Sequence, residues 1–210
     1  DDATAQWSVW GLVGASAARW LGDAAPAPGR VARRQVGSVL GLRPAEGHAR
    51  RLLVQPADAA APELPALDAA AWRRLEVTSG VPRITAATVE QFVPQMINLE
   101  RVGGVDFQKG CYPGQEIVAR SQYRGTIKRR MLLFATDGAA DAGQDVFHSG
   151  EPSQPAGMVV NAASDATGTR LLAEVKLAAL ESGTLHLGST QGAALRRLEL
   201  PYSIADTADV

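Results

Sequence analysis

Between residues 131 and 198 the sequence repeats one pattern six times: a short apolar run, then a break rich in Gly, Asp, Ser or Pro. The runs are 131–135, 145–148, 157–162, 170–175, 184–187 and 194–198. Each is shorter than the roughly 10 residues a stable helix needs, and turn residues bound it, so each reads as a strand. Six such strands bury their apolar faces by closing on themselves or by stacking as two sheets. This half therefore predicts a small antiparallel barrel or sandwich. The stretch 126–130 before it marks the expected boundary between two domains, 1–127 and 128–210.

The first half has a mixed texture. Trp7-Ser8-Val9-Trp10-Gly11-Leu12-Val13 reads as a strand of aromatic and β-branched residues, followed after Gly14 by a short helix at 16–21. Residues 22–35, rich in Ala, Pro, Gly and Arg, read as a loop, and strands are expected at 35–42 and 49–54. Asp68 is placed to cap a helix running to Val77, with Ala71, Trp72, Leu75 and Val77 on its apolar side; Gly80 and Pro82 end it. Residues 88–100 predict a short helix and then an irregular buried segment, and Val105-Asp106-Phe107 a short strand. The class is α+β.

Composition excludes some functions. Net charge is −1 over 210 residues, so no global field draws the chain to nucleic acid or to a membrane surface. No apolar run approaches the roughly 20 residues that span a bilayer, and the first residues lack the layout of a signal peptide. A single cysteine forms no internal disulfide, which fits a cytoplasmic location. His48, His148 and His186 are too far apart in sequence to show ligand spacing, so no metal site is expected.

That cysteine lies in Lys109-Gly110-Cys111-Tyr112-Pro113-Gly114-Gln115-Glu116. Gly110 and Gly114 flank it, Pro113-Gly114 signals a turn, and 115–120 has helical character. Backbone N–H groups at a helix start, together with Lys109, favour a thiolate. A lone cysteine also reads as simple packing, and Tyr112 as either a stacking ring or a core aromatic. Residues 101–130 hold seven basic side chains (Arg101, Lys109, Arg120, Arg124, Lys128, Arg129, Arg130) against two acids, Asp106 and Glu116. That excess suits an anionic ligand or a nucleic acid; it equally suits a solvated loop. Direct nucleic-acid binding is not expected, because Phe107, Tyr112 and Tyr123 do not alternate with the basic residues as a stacking platform would.

The octapeptide with Ile117-Val118-Ala119-Arg120 resembles the signature of the YgfZ folate-binding proteins, relatives of the glycine-cleavage T-protein, an aminomethyltransferase. Phe92-Val93-Pro94-Gln95-Met96-Ile97-Asn98-Leu99-Glu100 and Gly103-Gly104-Val105-Asp106-Phe107 resemble the run that precedes the signature. Residues 125–130 resemble the entry to the family's last domain, and Leu200-Pro201-Tyr202-Ser203-Ile204 its ending. The resemblance implies ferredoxin-like α+β parts and a C-terminal antiparallel β-barrel. It implies a tetrahydrofolate-binding accessory factor that supports iron–sulfur proteins, among them an enzyme that thiomethylates tRNA. The residue on which that function depends would be Cys111, with Lys109, Gly110, Tyr112, Gln115, Glu116 and Arg120 at the cofactor. Folate and iron–sulfur clients are the expected partners, and a monomer the expected state.

Two departures qualify the resemblance. Family members carry a longer region before the strand at Trp7, which supplies one wall of the folate cavity, so an amino-terminal part is expected to be missing here. Where the family has a carboxylate that holds the pterin, this chain aligns Thr78, in Val77-Thr78-Ser79-Gly80-Val81-Pro82. A hydroxyl cannot accept two donors in that forked geometry. The alternative reading, a T-protein-like aminomethyltransferase, lacks a match for its catalytic aspartate.

Overall fold

The computed structural model describes residues 1–107, 109, 110, 114–116, 118 and 127–204. The chain divides into two compact units, Asp1–Leu75 and Glu76–Val210.

The first unit is a four-stranded antiparallel sheet in the order β1-β4-β3-β2, with β1 at Trp7–Val13, β2 at Val31–Arg33, β3 at Ser38–Ala45 and β4 at His48–Pro56. On one face Leu12, Val39 and Leu53 meet Ala17 and Leu21 of helix α1, Gly14–Leu21. Alternation along β1 turns Gly11 to the other face, where a Cβ would come within 2.9 Å of the Trp72 indole. Glycine stands in this strand because another ring occupies that space. Trp72 belongs to helix α2, Ala69–Thr78, and the Arg50 guanidinium stacks 4.9 Å from its ring centroid. Asp68 caps α2 as expected: its Oδ1 accepts from Ala70 N–H at 3.0 Å. We expect Asp68→Ala to lower the stability of this unit by about 1 kcal/mol, read from its denaturation midpoint. A change below a few tenths would mean that solvent replaces the cap.

Strand β2 falls in the stretch expected to be loop. Its three residues pair Val31 with Leu40, Ala32 with Val39 and Arg33 with Ser38. Backbone pairing on an available edge makes the strand there, and composition rich in Ala, Pro and Arg hides it.

The second unit carries a closed antiparallel barrel in the order β10-β5-β8-β7-β6-β9. Its strands are β5 (Arg129–Thr136), β6 (Asp145–His148), β7 (Gly157–Asp165), β8 (Gly168–Lys176), β9 (Leu185–Leu187) and β10 (Ala194–Leu198). Each contains or overlaps one of the six predicted runs, and closure decides between barrel and sandwich. Leu132, Phe134, Val146, Val159, Leu171, Ala173 and Val175 form one core cluster. The alternate residues Met131, Leu133, Val160 and Leu172 pack with Val77, Ile97, Phe92 and Leu99 of the preceding segment. Covering both faces explains why β5 is buried at every residue after its first, where a half-exposed strand would alternate.

A bulge in β7 serves this covering. The register slips between Val159 and Asn161, which turns Val160 and Asn161 toward the same side. Val160 joins the second cluster, while Asn161 donates to Arg83 C=O at 2.7 Å and accepts from Arg83 N–H at 2.8 Å. The covering segment is less regular than expected. Residues 86–90 form turns instead of a helix, a 3-10 turn spans Pro94–Ile97, and 105–107 form no strand. Pro94 has no N–H for a helix to continue through. No helix among the described residues is long and apolar enough to cross a membrane.

Candidate functional site

The predicted site residues are only partly visible. Lys109 and Gly110 are exposed; Gln115 is half-buried and Glu116 exposed, both helical. Gly114 has φ +78°, a value that favours glycine at the turn before that helix. Cys111, Tyr112 and Arg120 lie outside the described residues, and so does the expected role of each. Among the described residues nothing lies within 4 Å of where a Cβ on Gly110 would stand.

Behind this segment lies a buried polar knot that sequence reasoning did not single out. Gln95 is 1% exposed, and its Nε2 donates to the Val118 carbonyl at 2.6 Å. The Gln95 carbonyl in turn accepts from Arg130 Nη1 at 2.8 Å. The same guanidinium pairs with Glu100 Oε1, which also lies 3.5 Å from Arg101 Nε. Asn98, fully buried, donates to the Met131 carbonyl at 2.7 Å and to the Tyr202 hydroxyl at 3.3 Å. Tyr202 donates to Gly80 C=O at 2.7 Å.

Local structure explains these residue types. Asn98 closes the 3-10 turn with φ +59°, a left-handed conformation that asparagine tolerates better than most side chains. Gly80 has φ +70°, and a Cβ there would lie 2.7 Å from the Tyr202 ring. The signal in the sequence was polar residues inside an apolar run: Gln95, Asn98 and Glu100 among Pro94, Met96, Ile97 and Leu99. Buried polar side chains persist where hydrogen bonds compensate their desolvation.

The knot also alters the reading of the basic stretch. Arg130 is 2% exposed and paired with Glu100, and Arg101 adjoins the same carboxylate. Arg129 forks onto the buried Glu174, with one N–H···O contact at 2.9 Å. Three of the seven cations therefore serve internal carboxylates, and only Lys109 and Lys128 are exposed among the described ones. The anionic footprint suggested by counting charges is correspondingly reduced.

The described residues do not assemble the family's pterin contact. Thr78 is 7% exposed at the end of α2 and brings one hydroxyl in place of a carboxylate. The nearby Glu76 is engaged by Arg83 at 3.4 Å. A cleft of about 790 Å³ opens beside β10, lined by Leu132, Leu200, Pro201, Tyr202, Ile204 and neighbours, and includes none of the predicted site residues. No group of three or more His, Cys, Asp or Glu among the described residues is placed to hold a metal ion. Compared with models of known protein families, the chain matches none.

Proposed function

We propose that the chain is an accessory factor for iron–sulfur proteins that depends on Cys111, with ferredoxin-like domains of the type found in the YgfZ and T-protein families ahead of its barrel. The observation that carries this reading is the ordered signature 109–120 together with the collinear run 92–107. The α+β class and the closed C-terminal barrel are compatible with it. One polar residue of the 92–100 run lends physical support: Gln95 donates to the Val118 carbonyl within the signature.

Tetrahydrofolate is the ligand that the resemblance implies. Lys109, Gly110, Gln115 and Glu116 would contribute to its site, but the described residues do not supply the forked acceptor. In cells lacking the native copy, this chain should restore activity of the iron–sulfur enzyme that thiomethylates tRNA, measured as the modified nucleoside. Absence of any restoration by a folded, expressed chain would sink the proposal. Titration with 5-formyltetrahydrofolate tests the ligand separately: we expect binding weaker than micromolar, because the paired acceptor is missing, and tight binding would show that another group replaces it.

A further inference from the structure

We propose that the outer edge of β1 is an interface at which a second copy of this chain pairs antiparallel, joining the two four-stranded sheets about a two-fold axis at Trp10. β1 ends the sheet order β1-β4-β3-β2, and among the described residues no strand lies on its other side. Free edges are normally blunted by charge, proline, a bulge or shortness. The opposite edge, β2, is blunted in this way: it has three residues and one is Arg33. β1 has seven residues, no charge and no proline, and its register to β4 runs unbroken. Trp7, Val9 and Trp10 are exposed on it.

The free backbone groups fix one register. The Gln6 carbonyl accepts from Ala57 N–H at 2.9 Å, so alternation turns Ser8, Trp10 and Leu12 toward β4 and the backbone groups of Trp7, Val9, Gly11 and Val13 outward. Two of these outward groups are already used. Trp7 N–H donates to Thr4 C=O, and Val13, the N-cap of α1, turns its carbonyl to that helix. An antiparallel copy centred on Trp10 sets Val9 opposite the second copy's Gly11 and Trp7 opposite its Val13. The two engaged groups then face each other, and every free group meets a free partner. Shifting the register by two residues either way sets an engaged group against a free one. At the axis the two Trp10 residues form a pair without ladder bonds, where side chains approach most closely. Charge favours the same direction. The Trp7 end carries exposed Asp1, Asp2 and Asp58, and the Val13 end carries exposed Arg19 and half-buried Arg51, so antiparallel pairing brings unlike ends together. The blunted β2 edges then close the assembly at two copies.

The test uses the 210-residue chain. Sedimentation equilibrium at about 100 µM should return twice the chain mass. Trp10→Lys sets two ammonium groups face to face at the axis and should weaken association about tenfold or more. Val31→Lys, at an exposed site on the β2 edge, should leave association unchanged. A monomer at that concentration, the state the sequence predicts, or a dimer that tolerates Trp10→Lys, would overturn the proposal. If Trp10→Lys does not fold, amide exchange in the wild type decides. The Val9, Gly11 and Val13 N–H groups should be protected at about 100 µM and lose protection on dilution, while those of Ser8, Trp10 and Leu12, bonded to β4, keep theirs. Protection of the first set that does not depend on concentration would show that the chain covers its own edge, and would also overturn the proposal.

Discussion

Arg130→Met should destabilise the second unit by about 3–5 kcal/mol, among the largest effects expected of any single substitution in this chain. Arg130 is 2% exposed and its guanidinium is shared between the Glu100 carboxylate and the Gln95 carbonyl, with Asn98 Oδ1 at 3.5 Å. Methionine fills much of the same volume, so the loss would come from polar groups and not from a cavity. Glu100 would retain a largely buried charge with Arg101 as its neighbour among the described residues, and Gln95 C=O would lose a donor. Removing one partner of a buried pair costs far more than the pair itself contributes, because the remaining charge has already left water. The measurement is the shift in denaturant midpoint of the barrel transition at unchanged slope. The double variant Arg130→Met/Glu100→Leu should be less destabilised than Arg130→Met, since it removes the stranded carboxylate. A cost below about 1 kcal/mol for the single change, or additivity in the double, would show that the knot is effectively solvated.

Cys111→Ser should abolish rescue of tRNA thiomethylation while leaving stability within about 0.5 kcal/mol of wild type. Serine keeps the shape of the side chain and loses two properties: an acidic thiol and a sulfur that bonds soft metals. A hydroxyl stays protonated near neutral pH, so nucleophilic or ligand chemistry that needs an anion would stop. If Cys111 were a packing residue, the substitution would affect stability before activity. Full rescue by a folded Cys111→Ser protein would remove the thiol from the mechanism. Partial rescue proportional to a fall in the amount of folded protein would assign the cysteine to packing.

Much of the fold was legible because it rests on local pattern. The strand at 7–13 coincides with β1, and the six short runs after residue 130 each correspond to a barrel strand. Asp68 announced the start of α2 through a side-chain bond two residues away. Elements that failed were those whose structure is set by distant partners. Strand β2 exists because β3 offers an edge, and 88–93 is not helical because the segment is draped on the barrel with Pro94 in its path. The site divides likewise. Glycines and a proline around Cys111 mark a turn from sequence alone, but the partners of Gln95, Asn98 and Arg130 lie 23, 33 and 30 residues away.

By itself, then, the sequence determined the periodicities, the turns and the place of the lone thiol, since these depend on contacts within a few residues. Tertiary structure alone decided that six strands close into a barrel, that a β7 bulge turns Asn161 to hold Arg83, and that a stretch counted as basic spends three arginines on two internal carboxylates, Glu100 and Glu174. The physical reason is that burial and charge pairing depend on what lies opposite in space. A count of charges along the chain records the cations and leaves out the carboxylates that fold back to meet them.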